Sequence, residues 1–266
     1  MPAIPATTVA NLRDLGGIPL SGGRTVRPGL ALRSGQLDRL DPGADTEFAA
    51  LGIRTIVDFR TNAERASHPD HVPEGVQVLV ADALADKIAQ TGAAPAAAQL
   101  KHVLSDPALA DEKLGGGRAA TLFADTYRSL VSTKSACAAY RTLLTELADP
   151  DAGPLLFHCT AGKDRTGWGA TVVLTLLGAD ETALEAEYLS VNSAVREAFA
   201  PLVEGFTAQG GDPEIALALI GVRASYLHAA QDEVAERFGD FETYVREGLG
   251  VPDEAVGRIR QRLVAG

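Results

Sequence analysis

Three short runs of aliphatic and β-branched residues predict buried strands. They occupy residues 53–59, 76–80 and 155–157, and the first follows a glycine and precedes polar residues. Residues 8–35 alternate between apolar and polar positions and turn at two glycine-rich points, which predicts short strands joined by hairpin-type turns. Because helical segments separate the strands, we expect parallel pairing and hence an α/β fold, with a central, mostly parallel sheet flanked by helices.

Longer periodic segments predict the helices around that sheet. Residues 46–51 and 181–199 are helix candidates, and the apolar stretch at residues 169–179 is a buried helix, too short for the roughly 20 residues that cross a bilayer. Between residues 118 and 147, apolar side chains recur at helical spacing and predict one buried stripe: Phe123, Tyr127, Leu130, Cys137, Tyr140, Leu144 and Leu147. We therefore interpret Cys137 as a core thiol.

The length fits one large domain, and we assign residues 1–266 to it. An alanine-rich stretch at residues 90–99 and three glycines within residues 114–117 indicate a variable, mobile insertion with short helices, at about residues 83–117. Residues 199–222 carry apolar positions that predict a further helical pair.

Cys159 lies in a loop that joins the third predicted strand to a long helical pattern. Arg165 follows six positions later, and His158, Gly162 and Thr166 complete the motif. In such a loop the backbone N–H groups, the helix N-terminus and the guanidinium all favour a bound anion and a thiolate. An arginine also binds two phosphate oxygens in bidentate geometry. We expect Cys159 to be a nucleophile and the rest of the loop to bind phosphate: Thr160, Ala161, Gly162, Lys163, Asp164 and Arg165.

The motif around Cys159 resembles the signature loop of the cysteine-dependent protein tyrosine phosphatase superfamily. Other segments resemble its bacterial branch of atypical tyrosine and lipid phosphatases; they are residues 11–17, 32–35, 57–60, 161–165 and C-terminal stretches between residues 226 and 251. The resemblance covers nearly the whole chain outside residues 83–117 and implies a tyrosine phosphatase-like fold. In that branch, a helical pair near residues 199–222 forms a lid over the active site. An ordinary pair of core helices is the alternative, and periodicity does not separate the two.

Two aspartates compete for the role of general acid, which protonates the departing oxygen and then activates water. Asp82 follows the strand at residues 76–80, at the sheet edge where ligands of parallel sheets bind, and a matching aspartate exists in the family. Asp164 lies within the loop itself. We favour Asp82 for its position. Asp82 has a structural alternative as a helix cap, and Asp164 as a partner of Lys163 or Arg165.

Further residues are expected to support the loop. Thr166 is predicted to hydrogen-bond the Cys159 sulfur and stabilise it as it leaves the phosphoenzyme. His158 orders the loop and favours the thiolate, or is a purely structural histidine. The other histidines lack metal-ligand spacing, and no metal or other cofactor is implied. Four matched family positions are expected to form an ion-paired network behind the loop: Arg13, Asp14, Asp58 and Arg60. Substrate binding is the alternative role of Arg60.

Lys163 adds a second cation to the loop, which favours substrates with more than one phosphate. Lipid-directed phosphatases carry lysine at this position, but they carry another where this chain has Thr160, so that likeness is partial. We expect a phosphomonoesterase that acts on phosphotyrosine proteins and phosphoinositides, and more weakly on phosphoserine and phosphothreonine, through a phosphocysteine intermediate.

Three other functions use a similar loop. A catalytically silent module would bind phosphorylated partners without turnover, which intact Cys159, Arg165 and Thr166 disfavour. A phytase-like phosphatase for soluble inositol phosphates would need a broad basic pocket, which the acidic composition disfavours. Rhodanese-like sulfur transfer gives no reason for the arginine–threonine pair or for His158.

The composition sets the remaining limits. The net charge is −11, which disfavours nucleic acid and anionic membranes as partners, so we expect a small cationic pocket to bind the anion. Two cysteines give no disulfide framework and the first residues show no secretion signal, so we expect a reducing, cytoplasmic compartment. The resemblance implies export without a signal peptide as an alternative. We expect a monomer without integral membrane contact.

Overall fold

A five-stranded sheet forms the centre of the computed structural model, which describes residues 4, 8–92 and 103–266. The strands are β1 (Arg13–Asp14), β2 (Thr25–Val26), β3 (Ala31–Ser34), β4 (Thr55–Asp58), β5 (Gln77–Val80), β6 (Leu155–His158) and β7 (Val264–Ala265). The order in the sheet is β1-β3-β6-β4-β5. All neighbours run parallel except β1, which is antiparallel to β3. The predicted α/β fold and its mostly parallel sheet are confirmed.

The strands within residues 8–35 do not pair simply with one another in the way that the hairpin-type turns predict. Although β1 and β3 pair antiparallel, β3 also lies beside β6 inside the parallel sheet, and β2 pairs with β7 near the other end of the chain. All four residues of β3 are buried, as in an inner strand. Turn residues therefore predicted where the chain reverses, but not which strands become neighbours.

Helices surround the sheet. They are α1 (Thr46–Ala50), α2 (Asn62–Ser67), α3 (Ala85–Thr91), α4 (Pro107–Leu114), α5 (Arg118–Ser132), α6 (Lys134–Leu147), α7 (Asp164–Leu177), α8 (Glu181–Leu189), α9 (Val191–Ala208), α10 (Pro213–Ile220), α11 (Ala224–Phe238) and α12 (Asp253–Leu263), with single turns at Ser21–Gly23, Phe241–Thr243 and Tyr244–Gly248. No helix within these described ranges has the length and apolarity that crossing a membrane requires.

Two segments that were expected to be continuous are divided. Residues 118–147 form two helices, because Thr133 has extended backbone and its side chain caps α6 by accepting from the Ala136 N–H. Residues 181–199 likewise divide at Ser190, between α8 and α9. Cys137 is half-buried against the core, and burial raises the pKa of its thiol. Its interpretation as a core thiol is therefore consistent with the structure.

Among its described residues, the predicted insertion contains the short helices α3 and α4, and residues 103–104 are helical as well. Most of the alanine-rich stretch at residues 90–99 lies outside the described residues, as do residues 100–102.

Both faces of the inner strands β3, β4 and β6 are buried, whereas the edge strand β5 is largely exposed. Leu155 and Phe157 belong to the large core beneath the long helices, whereas Leu156 packs on the other face in a smaller cluster with Ile56. Because side chains alternate along a strand, the final residue His158 points to the face of Leu156.

Candidate active site

The loop that carries Cys159 lies at the carboxyl edge of the sheet. It begins after His158, the last residue of β6, and ends where α7 begins at Asp164. Gly162 has a φ of +69°, and a Cβ at this position would lie 2.5 Å from the Ser34 carbonyl oxygen. Only glycine allows the loop to pack this closely on β3. Cys159 is buried within the resulting turn.

Hydrogen bonds hold three carbonyls of the loop on the side of β1 and β3. They run from Gln36 N to Thr160 O at 3.1 Å, from Asn11 Nδ2 to Ala161 O at 2.6 Å, and from Arg33 Nη2 to Gly162 O at 2.7 Å. In a planar trans peptide, the N–H of the next residue points opposite to the carbonyl. Three successive N–H groups of the loop therefore point away from β1 and β3, beside the N-terminus of α7, which is the arrangement that binds an anion.

Arg165 is clamped by a carboxylate that the sequence did not reveal. Its Nη1 donates to Glu64 Oε2 and its Nη2 to Glu64 Oε1, both at 2.7 Å. Glu64 also accepts from the Thr160 hydroxyl and from the Thr61 N–H at the start of α2. Burial raises the pKa of Glu64, but the hydrogen bonds and charge of Arg165 outweigh this effect and lower it to about 2. Glu64 is therefore a carboxylate at neutral pH.

Glu64 occupies the end-on edge of the guanidinium, formed by Nη1 and Nη2. Within the described part of the chain, the Nε group has no hydrogen-bond partner, and the remaining contact of Nη2, with Thr160 Oγ1, is long at 3.5 Å. The side-on edge can therefore bind phosphate in bidentate geometry without displacing Glu64. Burial lowers the pKa of Arg165, and the charges of Cys159 and Glu64 raise it by more.

The ammonium of Lys163 binds the end of α10, contrary to the expectation that it is free for a second phosphate. Its Nζ donates to the carbonyls of Leu219 at 2.8 Å and Gly221 at 3.0 Å. It also lies 3.4 Å from the Asp164 carboxylate and 4.9 Å from the centre of the Phe123 ring. The last carbonyls of a helix lack partners within it, and Lys163 supplies a charged donor there.

Helices α9 and α10 form the predicted helical pair, and they lie beside the loop. Asn192 at the start of α9 exchanges two hydrogen bonds of 2.9 Å with the backbone of Val222, just after α10. Lys163 joins the same end of α10 to the loop. The pair is thus fastened at one end to the loop that carries Cys159.

Asp164 is the first residue of α7 and is bound by a chain of hydroxyl groups. The Tyr127 hydroxyl donates to Asp164 Oδ1 at 3.1 Å, and the Tyr188 hydroxyl donates to Tyr127 at 2.6 Å. Burial raises the pKa of both tyrosines well above the usual range, so each hydroxyl keeps its proton. Asp164 also pairs with Lys163, as one of its structural alternatives predicted.

Asp82 follows β5 at the same edge of the sheet. Its Oδ1 accepts from the Leu84 N–H at 2.9 Å, a turn contact just before α3, whose first turn has no side-chain cap. The capping role expected as an alternative is therefore not formed. Burial raises the pKa of Asp82, and the Leu84 N–H and the charge of Arg165 lower it by less, so the net shift is upward. A carboxyl group that keeps its proton to higher pH is suited to general acid catalysis.

Comparison with known proteins agrees with this geometry. The sequence profile of the tyrosine phosphatase family matches residues 4–265. The chain belongs to the tyrosine phosphatase family. Triple specificity protein phosphatase PtpB of Mycobacterium tuberculosis is 34% identical over 256 residues, which cover 88% of this chain and 91% of PtpB.

Two further relatives support the assignment. A Cupriavidus necator protein, provisionally named a tyrosine-protein phosphatase, is 30% identical over 262 residues, covering 97% of this chain and 87% of the relative. A tyrosine-protein phosphatase of Nostoc commune is 26% identical over 240 residues, covering 87% of this chain and 73% of the relative. The protein is thus a cysteine-dependent phosphatase.

In this phosphatase the Thr166 hydroxyl is buried, and it forms no hydrogen bond with any described residue. The bond from Thr166 to the Cys159 sulfur that the sequence predicted is therefore not formed in this conformation. Its role at the departing sulfur stays a prediction.

Behind the phosphatase loop, Arg60 binds two carboxylates. Its Nε lies 3.0 Å from Asp58 Oδ1, its Nη2 lies 2.9 Å from Asp58 Oδ2 and also pairs with Asp70, and its Nη1 donates to the His68 carbonyl. The guanidinium is buried. The structure therefore contradicts the alternative in which Arg60 reaches substrate phosphate.

Arg13 belongs to a second cluster, separate from Arg60. Glu187 on α8 accepts from Arg13 at 3.3 Å and from Arg33 at 2.7 and 2.9 Å. Burial lowers the pKa of Arg13 to about 10, still well above neutral. Asp14 joins neither cluster, because its oxygens accept N–H groups of two turn glycines. The single network expected behind the loop is therefore two clusters and a separate turn.

Sequence reasoning missed several residues of the site: Arg33, Glu64, Asp70, Tyr127 as a partner of Asp164, and Glu187. For Glu64 a signal existed, since threonine followed three residues later by glutamate is a capping-box pattern at a helix start, and Thr61 and Glu64 form that box. The others show no local pattern, because their partners lie far away in the sequence.

Proposed function

We propose that this phosphatase hydrolyses phosphotyrosine through a covalent phosphocysteine at Cys159. The observation that supports the proposal is the loop itself, in which three N–H groups point away from β1 and β3 and the charge of Arg165 acts on buried Cys159. Such an arrangement stabilises the charge of a phosphoryl group during transfer.

The proposed reaction has two steps. The Cys159 sulfur attacks phosphorus while the bond to the tyrosine oxygen breaks, and a carboxylic acid donates its proton to that oxygen. Water then attacks the phosphocysteine, the phosphorus–sulfur bond breaks with its electrons returning to sulfur, and the carboxylate accepts the water proton. Inorganic phosphate leaves, and both groups return to their starting states.

We assign the carboxylic acid to Asp82. Its raised pKa favours the protonated form that the first step consumes. Asp164 has a different environment, since it accepts from Tyr127 and pairs with the ammonium of Lys163, contacts that suit a carboxylate. Asp164 then orients Lys163 and the start of α7.

For substrate breadth, we propose phosphotyrosine first, phosphoinositides second, and phosphoserine and phosphothreonine more weakly. The name of the M. tuberculosis relative, a triple specificity protein phosphatase, supports a broad range. The position of Lys163 adds a condition, because two of its three N–H donors bind Leu219 and Gly221 and the ammonium also faces Asp164. It has to give up at least one of these partners to bind a second phosphate. We accordingly propose that residues 199–222 act as a lid.

The test is phosphate release by wild-type protein and by Cys159→Ser, each with and without EDTA. Substrates are a phosphotyrosine peptide, matched phosphoserine and phosphothreonine peptides, a phosphoinositide panel and inositol hexakisphosphate. We expect turnover that is insensitive to EDTA and lost in Cys159→Ser. Binding of phosphopeptide by both proteins without turnover would identify a silent module, and preference for inositol hexakisphosphate would identify a phytase.

A further inference from the structure

His158, the residue before the proposed nucleophile, has hydrogen-bond acceptors next to both ring nitrogens. Its Nε2 lies 3.3 Å from Asp70 Oδ2 and 3.9 Å from Asp58 Oδ1, and its Nδ1 lies 3.3 Å from the backbone oxygen of Cys159. The ring is fully buried, so water does not reach it. The contact of Nε2 with Asp70 is an ion-pair distance, and Nε2 forms no hydrogen bond with a described residue. A neutral imidazole has one N–H and one lone pair, whereas an imidazolium presents an N–H group to the acceptor on each side.

The charges around the ring favour the same state. Asp58 and Asp70 contribute two negative charges and Arg60 one positive charge, and all three side chains are at most 7% exposed. Because an unbalanced charge away from water is costly, the group requires a second cation. Glu64 also acts on Arg60, but its carboxylate is paired with Arg165. His158 lies 3.9 Å from Asp58 and 3.3 Å from Asp70, and its neighbour on β3 is Ser34, which does not titrate.

Asp70 is the member of this group that fixes the ring. Its Oδ1 accepts the Leu37 N–H at 2.7 Å, while its Oδ2 faces Arg60 and His158. Burial raises the pKa of Asp70, and the contacts with His158, Arg60 and Leu37 lower it by more. One oxygen is thus anchored to the backbone, and the other is held against the imidazole as a charged group.

We propose that Asp70 is a positioning residue that holds His158 as an imidazolium beside Cys159. The fixed positive charge, one residue from the sulfur, then favours the thiolate in addition to the loop N–H groups and Arg165. The catalytic consequence rests on the proposed function, in which Cys159 is the nucleophile. The expected effect on the reactivity of the Cys159 thiol does not depend on the proposed function.

The first test measures alkylation of Cys159 by iodoacetamide as a function of pH. Peptide mapping by mass spectrometry reports Cys159 separately from Cys137. In Asp70→Asn, we expect the pH of half-maximal alkylation rate to rise by about one unit, since a nearby opposite charge shifts a titration by that order. In Asp70→Glu, which keeps the charge, the midpoint should return most of the way to the wild-type value.

The matched control is Glu233→Gln, which removes another buried carboxylate paired with an arginine, Arg237 on α11. We expect its alkylation profile to superimpose on that of wild type. A role of Asp70 in folding alone would lower the thermal midpoint of Asp70→Asn without moving its profile, and that result would overturn the proposal.

A second measurement needs no variant of Asp70. In wild-type protein with ¹⁵N-labelled histidine, we expect NMR at pH 7 to show both ring nitrogens of His158 protonated, with the signals assigned through His158→Gln. A neutral His158 ring would overturn the proposal even if Asp70→Asn fails to fold.

The two proposals fail separately, because alkylation requires no substrate. A protein that releases no phosphate but shows the Asp70-dependent profile would refute the proposed function and support this inference. Phosphate release with an alkylation profile that Asp70→Asn does not change would support the proposed function and refute this inference.

Discussion

The carboxylate of Glu64 meets the end-on edge of the Arg165 guanidinium through two hydrogen bonds of 2.7 Å each. These residues are 101 positions apart, and both are buried. The pair fixes the plane of the guanidinium, so that its side-on edge is presented to a phosphate in one orientation.

Glu64→Gln should impair catalysis because an amide offers one acceptor oxygen where the carboxylate offers two, and it carries no charge. We expect kcat/KM for a phosphotyrosine peptide to fall by about 10- to 100-fold, corresponding to the ~1.5–3 kcal/mol of a hydrogen bond to a charged group. Steady-state kinetics would measure this. Glu247→Gln, which breaks an exposed pair with Arg246, should leave kcat/KM unchanged. Equal losses in both variants would contradict the expected role.

The pair of Glu64 and Arg165 also predicts how the free energy of unfolding depends on pH. The pKa of Glu64 is about 2 in the folded protein, against an ordinary value of 4.5. Because the folded value is depressed, its contribution to stability is complete above about pH 4.5 and is lost as the pH falls toward 2. Urea unfolding should therefore show a difference between wild type and Glu64→Gln that is largest above pH 4.5 and shrinks toward pH 2. A difference independent of pH would show that Glu64 stabilises the fold by packing alone.

Lys163→Met should loosen the end of α10, because the ammonium that binds its final carbonyls is lost. We expect faster amide hydrogen exchange in the peptide that contains residues 213–223, and a lower thermal midpoint. Arg223→Gln removes an exposed ion pair between Arg223, just after α10, and Glu214 in its first turn, and it should change exchange much less. Comparable acceleration in both variants would assign the effect to general fraying.

Asp82→Asn and Asp164→Asn should separate the two candidate acids. A general acid works only when protonated, so activity falls as the pH rises through its pKa, and removing the acid removes this basic limb. We expect Asp82→Asn to lose the limb and to lower kcat by about 100-fold or more for an aryl phosphate with a poor leaving group, with a smaller loss for a good one. If Asp164→Asn shows this behaviour instead, the assignments are reversed.

The fold and the nucleophilic loop were predictable because their signals are local. Residues 53–59 show by their own composition that they form a strand, and Cys159 and Arg165 stand in one loop at a recognisable spacing. The carboxylates that control the loop were not predictable in this way. Glu187 reaches Arg13 and Arg33 across more than 150 positions, and such partners become visible only after the sheet and helices are assembled.

Lys163 shows a different limit of sequence reasoning. Its place in the loop predicted a cation for the phosphate site, but a residue's position does not fix the direction of a long, flexible side chain. The carbonyls of Leu219 and Gly221, which come from a distant helix, determine where the ammonium lies. Similarly, Thr133 divides two helices because it caps the second, a preference that competes with the continuous apolar stripe.

The attachment of Lys163 to α10 also makes ligand affinity depend on a conformational equilibrium. A ligand that leaves Lys163 in place binds without disturbing the helix, whereas a ligand that recruits the ammonium requires at least one of its charged contacts to break first. Its apparent dissociation constant is then the intrinsic constant divided by the fraction of molecules in which the ammonium is released. Affinities for singly and multiply phosphorylated ligands therefore report different quantities, and their ratio measures how firmly α10 is held.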